Sequence, residues 1–293
     1  MKTLAPLLVV IALIATPLVH QTASTSAVQS GANAQPTTGY VLKQISPGAV
    51  HHELAAKPRL RFWDSTSGNW SGYAVPLDTS GETDTFSAVQ GTWTIPTVKG
   101  STSATYSSAW VGIDGYTSGT VEQIGSEQDW TGKAQSNYVW FEMYPNYAYE
   151  ITGFPANPGN SITAKVQYEG QKSVRSGRRT VLENVFQLTI TNNTLKVSYS
   201  VPTSYTTSGS VARSSAEWIM EAPSSNEILP LADFGTAGFS SCEAASLRSG
   251  GNLVPVTAWV LDPLTMIDTN GGASVPSSLS SNGQAFSVTW AAN

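Results

Sequence analysis

Histidine is almost absent from this chain, and where it occurs it is badly placed for catalysis. The three histidines, His20, His51 and His52, all fall near the N-terminus. A domain built from the remainder has none, which excludes a Ser-His-Asp or Cys-His nucleophile system and an HExxH zinc site. Cysteine is scarcer still. Cys242 stands alone, so no internal disulfide and no cysteine-rich metal site can form. His51-His52-Glu53 is the one weak metal-like cluster, and a solvated leader is its simpler reading. No GxxxxGK[ST] or GxGxxG phosphate loop is present. Charge is also sparse: 12% of the 293 residues are charged and the net charge is -5, against a usual charged share of about 25%. Without a basic face a nucleic-acid partner is not expected. With few carboxylates to protonate, little positive charge builds up in acid, and the fold is expected to tolerate low pH.

Long apolar runs are missing after the first residues. Lys2 followed by the mostly apolar Leu4–Leu18 and then small residues reads as a secretory signal over 1–27, with a cut near Ala23 or Ala27. A retained anchor is the alternative, although the segment is short for a membrane span. The expectation is a secreted, extracellular product, free of the membrane once the signal is gone. Residues 28–64 read as a pro-segment or linker: polar at first, then carrying Lys57, Arg59 and Arg61 close together. A basic leader can cover an acidic cleft and leave when acid neutralises the carboxylates; a plain leader is the alternative. Residues 65–293 show no break in composition and read as one domain, expected to be monomeric.

That domain is written in short strands. Runs rich in Val, Thr, Tyr, Trp and Ile alternate with Gly, Ser, Asn and Pro clusters, and no long stretch has clean helical spacing. The pattern implies an all-β sandwich or barrel. Asn192–Asn193 signals a tight turn, and NLVPVTAWVL (252–261) reads as a strand near the end. The central stretch is SSAWVGIDGYTSGTVEQIGSEQDW (107–130), two arms around a turn at Gly115–Gly119. A period of two puts Ala109, Val111 and Ile113 on one face, and Trp110, Gly112 and Asp114 on the other. Val121, Gln123, Gly125 and Glu127 share a face of the second arm. One face suits a core; the other suits a polar groove floored by small residues.

With histidine and cysteine removed, acid–base work falls to carboxylates. In SNYVWFEMYP, Tyr138, Trp140, Glu142 and Tyr144 share a face. In SSAEWIMEAP, Glu217, Ile219 and Glu221 share one, with Trp218 and Met220 behind. Glu142 and Glu221 sit inside strongly apolar, aromatic runs, where a charge without a purpose is costly. The residues alone leave open a glycoside hydrolase using Glu142 and Glu221 as its carboxyl pair, another carboxylate-based hydrolase, and a non-catalytic carbohydrate-binding module stacking sugars on Trp70, Trp110 and Trp140.

NWSGY (69–73), AWVGIDG (109–115), EQIG (122–125), YVWFEMYP (138–145), AEWIME (216–221) and ADFG (232–235) occur in that order. Together they resemble the glutamic peptidases, or eqolisins, of family G1, over roughly residues 68–290. The resemblance implies a fold, an antiparallel β-sandwich (jelly-roll or concanavalin-like) of two large sheets with a concave substrate cleft. It also implies an acid endopeptidase made with a pro-segment, acting on protein or peptide substrates without metal or cofactor. Carried over by motif, the catalytic pair falls on Gln123 and Glu221, and Trp70, Trp110, Asp114, Trp140 and Glu142 fall on positions that line or support the cleft. The family often has Asp four residues after the glutamine; here that place is Glu127, with Asp129 nearby.

Overall fold

The computed structural model describes residues 39–45, 65–77, 84–116, 118–176, 178–201, 204–206, 211–267 and 271–292. The expected signal at 1–27, the basic run Lys57–Arg61 and most of the 28–64 segment lie outside the described residues. In chain order the strands are β1 (Val41–Gln44), β2 (Ser65–Ser67), β3 (Trp70–Pro76), β4 (Phe86–Thr94), β5 (Ala104–Thr105), β6 (Ser108–Asp114), β7 (Val121–Thr131), β8 (Gln135–Tyr144), β9 (Tyr149–Thr152) and β10 (Ser161–Ser176). They continue with β11 (Arg179–Asn192), β12 (Val197–Ser200), β13 (Ser204–Thr206), β14 (Ser215–Glu221), β15 (Thr236–Ser246), β16 (Val254–Pro255), β17 (Asp262–Ile267), β18 (Gly272–Pro276) and β19 (Phe286–Ala292). Among the described residues the only helix is the 3-10 turn Val256–Ala258.

The strands pair as one continuous ladder. It runs β1–β9–β8–β7–β6–β14–β3–β17. It then crosses β18 and β19 and returns as β15–β4–β10–β11. These pairs are antiparallel; β2 lies parallel to β17. The two layers expected as separate sheets are thus two limbs of one sheet, joined through β17–β18–β19. Antiparallel sheets bury one face of each strand by alternation, and the apolar faces of the two limbs supply a single core. Ala109, Val111, Ile113, Ile124, Phe141, Trp218 and Met220 come from one limb, and Val89, Trp93, Ile162, Phe186, Leu188 and Phe239 from the other. Two indoles bridge the limbs in opposite directions. Trp218 Nε1 donates to the Gln90 carbonyl at 2.7 Å, and Trp93 Nε1 donates to Ser126 Oγ at 2.8 Å. Buried indole N–H groups need such partners.

Three local expectations differ from what is observed. The Asn192–Asn193 turn is a longer loop: Asn192 pairs with Val197 in register, and the left-handed residue is Lys196 (φ 58°). Asn192 Oδ1 instead accepts from the Leu195 N–H at 3.0 Å. The strand expected over 252–261 is reduced to β16 and a 3-10 turn. Pro255 cannot donate to a ladder, and the chain curls there. The third is the β10–β11 ribbon beside the Asn192–Asn193 turn, a ladder from Ile162–Asn192 out to Ser176–Arg179 where the short strands of the sequence pattern do not suggest one, its distal part largely exposed.

Candidate active site

The outer face of β3, β14, β6, β7 and β8 carries the candidate residues, in cross-strand rows fixed by register. One row reads Ala74, Glu217, Gly112, Gln123, Glu142. The next reads Gly72, Ile219, Trp110, Gly125, Trp140. The third reads Trp70, Glu221, Ser108, Glu127, Tyr138. The alternation expected from sequence therefore holds on every arm. The floor of small residues has a steric cause. A Cβ on Gly125 would lie 2.5 Å from Trp110 Cβ, and one on Gly112 would lie 2.9 Å from Trp110 Cζ3. Gly112 makes room for the Trp110 ring, and Gly125 for its Cβ and backbone.

Trp70, Trp110 and Trp140 are fully buried and form one cluster with Ala74, Tyr116, Ile219 and Leu264. The Trp70 and Trp110 rings meet edge-on with centroids 4.9 Å apart. This cluster holds the polar groups. Trp110 Nε1 donates to Glu221 Oε2 at 2.6 Å, and Asn69 Nδ2 donates to Glu221 Oε1 at 3.3 Å. Trp140 Nε1 donates to Ser108 Oγ at 3.0 Å, fixing the residue beside Glu221. On the neighbouring strands Gln123 Nε2 donates to Glu142 Oε2 at 2.8 Å. Glu142 is thus the acceptor that fixes the direction of the Gln123 amide.

Glu221, Glu127 and Asp129 are pushed toward the neutral form. Burial holds Glu221 well above the usual carboxylate range, and the charge of Glu142 raises it further; the Trp110 and Asn69 donors work the other way. Glu127 is fully buried and is also held well above that range, first by burial and then by the charge of Asp129, with which it shares a hydrogen bond. Burial pushes Asp129 up to about 7, the bond to Glu127 opposing the rise. Adjacent carboxyls in a dry site cannot both ionise, so Glu127 and Asp129 hold a proton between them. Asp114 lies apart from these groups. At φ 69° it turns out of its strand, and it accepts from the backbone N–H groups of Arg213 (2.7 Å) and Ser214 (2.8 Å). It supports the entry of β14 and does not line the aromatic cluster.

Several residues were not singled out from sequence. Asn69 and Ser108 lie beside motif residues, which was the available signal. Tyr116 donates its hydroxyl to Asp262, which also accepts from Ser65 Oγ at 2.7 Å, tying β17 to the hairpin turn. Nothing local marks that contact. Glu122 is fully buried on the opposite, core-facing side of β7, between Ile113 and Met143 in register.

A buried carboxyl and an amide held by a second carboxyl thus lie on one tryptophan-lined sheet face. Comparison with known proteins gives the family. The Peptidase A4 family model matches residues 68–290. Aspergillopepsin-2 of Aspergillus niger is 29% identical over 245 residues, covering 76% of this chain and 78% of that protein. Scytalidopepsin B of Scytalidium lignicola is 33% identical over 191 residues, covering 62% and 65%. Among solved structures, scytalido-glutamic peptidase with a transition-state analogue inhibitor superposes with a TM-score of 0.59 at 26% identity, over 76% of this chain and 98% of that one. With the family matched across most of its length, the chain belongs to the peptidase A4 family, the eqolisins, and is a glutamic endopeptidase.

Proposed function

We propose that the protein is an exported endopeptidase that works in acid, with Glu221 as general base and then acid and Gln123 as the donor to the oxyanion. The observation that carries this is the pair of fixed groups: Glu221 gripped by Trp110 and Asn69, and the Gln123 amide gripped by Glu142. Burial favours neutral Glu221, so the active form is the ionised fraction that the Trp110 and Asn69 donors sustain; that carboxylate takes a proton from a water, and the water oxygen bonds to the scissile carbonyl carbon. The carbonyl π electrons move to oxygen, where a Gln123 N–H stabilises the charge. A donor aimed at new charge is among the largest catalytic terms. The proton on Glu221 then passes to the amide nitrogen as the carbon–nitrogen bond breaks. Glu142 matters because it sets the orientation of the amide before substrate arrives. That role also argues against the glycosidase reading, in which Glu142 and Glu221 act as an equivalent pair.

One observation favours a second assignment of the base. Register places Glu217, not Glu221, directly across Gly112 from Gln123. The test is the rate on a protein substrate at acid pH for Glu221→Gln and Glu217→Gln, with circular dichroism as the folding control. The proposal expects Glu221→Gln to be the inactive one. A folded, active Glu221→Gln beside an inactive Glu217→Gln transfers the role to Glu217.

A further inference from the structure

The stretch GQKSVRSGRRTVLE (170–183) crowds its cations together in a chain with few charges. Lys172, Arg175, Arg178 and Arg179 supply four of the 15 Lys and Arg residues. The stretch forms the distal arm of the β10–β11 ribbon, from Gly170 opposite Val185 to Ser176 opposite Arg179. Its length is about 20 Å at the usual rise of an antiparallel strand. Among the described residues no third strand runs beside it: β4 pairs with β10 only as far as Gln167, and β13 with β11 only over Asn184–Phe186. None of its residues belongs to a buried cluster, and Leu182 is 62% exposed. A two-stranded ribbon in water is marginal by itself, and like charges close together weaken it further. Lys172 faces Glu183 in register, but Arg175 faces Thr180 and Arg179 faces Ser176. Arg175, Arg178 and Arg179 are exposed and make no ion pair among the described residues.

The base of the arm is fastened to the sheet that carries the candidate site. The Arg213 guanidinium sits over the Tyr168 ring, 4.0 Å from its centroid, and the Arg213 N–H donates to Asp114 at the end of β6. β13, paired with β11 where the arm begins, lies beside β8. β6 and β8 carry Gly112 and Glu142, members of the row that holds Gln123. The arm therefore leaves the sheet at the Gln123 end of the candidate site.

We propose that the β10–β11 arm is an exosite whose arginines hold an anionic stretch of the protein substrate, carboxylate or phosphoserine, while a neighbouring stretch occupies the cleft. The proposal rests on reading the outer face of β6, β7, β8 and β14 as the peptidase cleft. Guanidinium groups stay charged at any working pH and pair with carboxylates and phosphates through two donors. Each exposed pair is weak, but a segment already tied to the cleft meets the arm at high effective concentration. The arm thus selects substrates by charge outside the scissile sequence.

The test compares one reporter peptide without a tail and with a phosphoserine or glutamate tail at either end. The tail is carried on a Gly/Ser spacer of about ten residues, long enough to cross the arm. At pH 5 and low salt the phosphoserine tail should lower KM about tenfold, the combined effect of a few exposed ion pairs, and leave kcat unchanged. The triple variant Arg175→Ser, Arg178→Ser, Arg179→Ser should lose this advantage and cleave the untailed peptide at the wild-type rate. Lys133→Ser, an exposed cation elsewhere, should keep it. Added salt should erase it. The glutamate advantage should fade between pH 5 and pH 3 as carboxylates near 4.3 take protons, whereas phosphoserine keeps one charge. Equal KM for tailed and untailed peptides in wild type overturns the proposal, as does an equal advantage in the triple variant or a loss of its rate on the untailed peptide. If no form cleaves any peptide, the cleft reading fails. Fluorescence anisotropy of a labelled phosphoserine peptide then decides the exosite alone: binding by wild type that the triple variant loses supports it, and equal or absent binding overturns it.

Discussion

The two faces of β6, β7, β8 and β14 are equally buried and chemically opposite. The inner face carries Ala109, Val111, Ile113, Ile124, Val139, Trp218 and Met220; the outer carries Trp110, Gln123, Glu127, Trp140, Glu142, Glu217 and Glu221, all but closed to solvent. The inner face gains from losing water. The outer face loses by it and has to replace water with fixed donors: two indoles, an asparagine, a glutamine amide and a shared proton. Burial alone therefore does not distinguish core from site here. What does is the kind of partner each side chain has.

If that contrast is right, changes on the two faces should fail in different ways. The largest effect is expected on the outer face. Gln123→Ala should lower kcat/KM by about a hundred- to a thousand-fold, the range for loss of one oxyanion donor, with little change in Tm. An equal fall in Tm would mean the outer face is structural. Glu142→Gln should cost less in rate, since the amide–amide contact that replaces the carboxylate still fits but no longer dictates which way Gln123 points. Steady-state kinetics with a KM-against-kcat split would show the loss in kcat.

On the inner face the expectation reverses. Trp218→Ala removes the bridge to Gln90 and leaves a cavity at the centre of the core. It should lose about 3–5 kcal/mol of stability in a denaturant titration, while the molecules still folded retain their specific activity. A large loss of activity without loss of stability would break the comparison.

The smallest effect sharpens the exception, Glu122, the carboxyl that faces the core. Burial holds it well above the usual range, with Asp114 raising it and Arg213 opposing. A carboxyl raised in the folded state adds stability that is fully present below its unfolded value, about 4.3, and is lost as pH rises toward its folded value. Glu127 and Asp129 act in the same direction, Asp129 over the range from its ordinary value to about 7. Tm should therefore be highest in acid and fall toward neutral pH. Glu122→Gln cannot ionise in either state, so it should flatten the fall, matching wild type near pH 3–4 and exceeding it near pH 7. Melting curves across that range suffice. A parallel fall in the variant would remove Glu122 from the account.

The alternation that put Gln123 opposite Ile124, and Glu221 opposite Met220, was legible because a strand has a period of two and these strands lie between a dry core and a distinct outer face. Glu122 falls on the core side by the same period but was not singled out, because nothing nearby in the chain says how completely that side closes. The Asn192–Asn193 turn and the strand over 252–261 were misread for a related reason: a loop length and a curl at Pro255 depend on the register demanded by partners elsewhere in the sheet.

The sequence by itself determined the all-β class, the two faces of each central strand, the limitation of the chemistry to carboxylate and amide, and, through six ordered motifs, the family. Each follows from residue type and short spacing. Only the tertiary structure decided that Glu142 grips Gln123, that Glu221 lies under Trp110 111 positions away, that Glu217 shares a row with Gln123, and that β1 pairs with the outer edge of β9. Those relations are set by strand order and register across the whole sheet, which arise from packing both limbs around one core and have no trace in local periodicity.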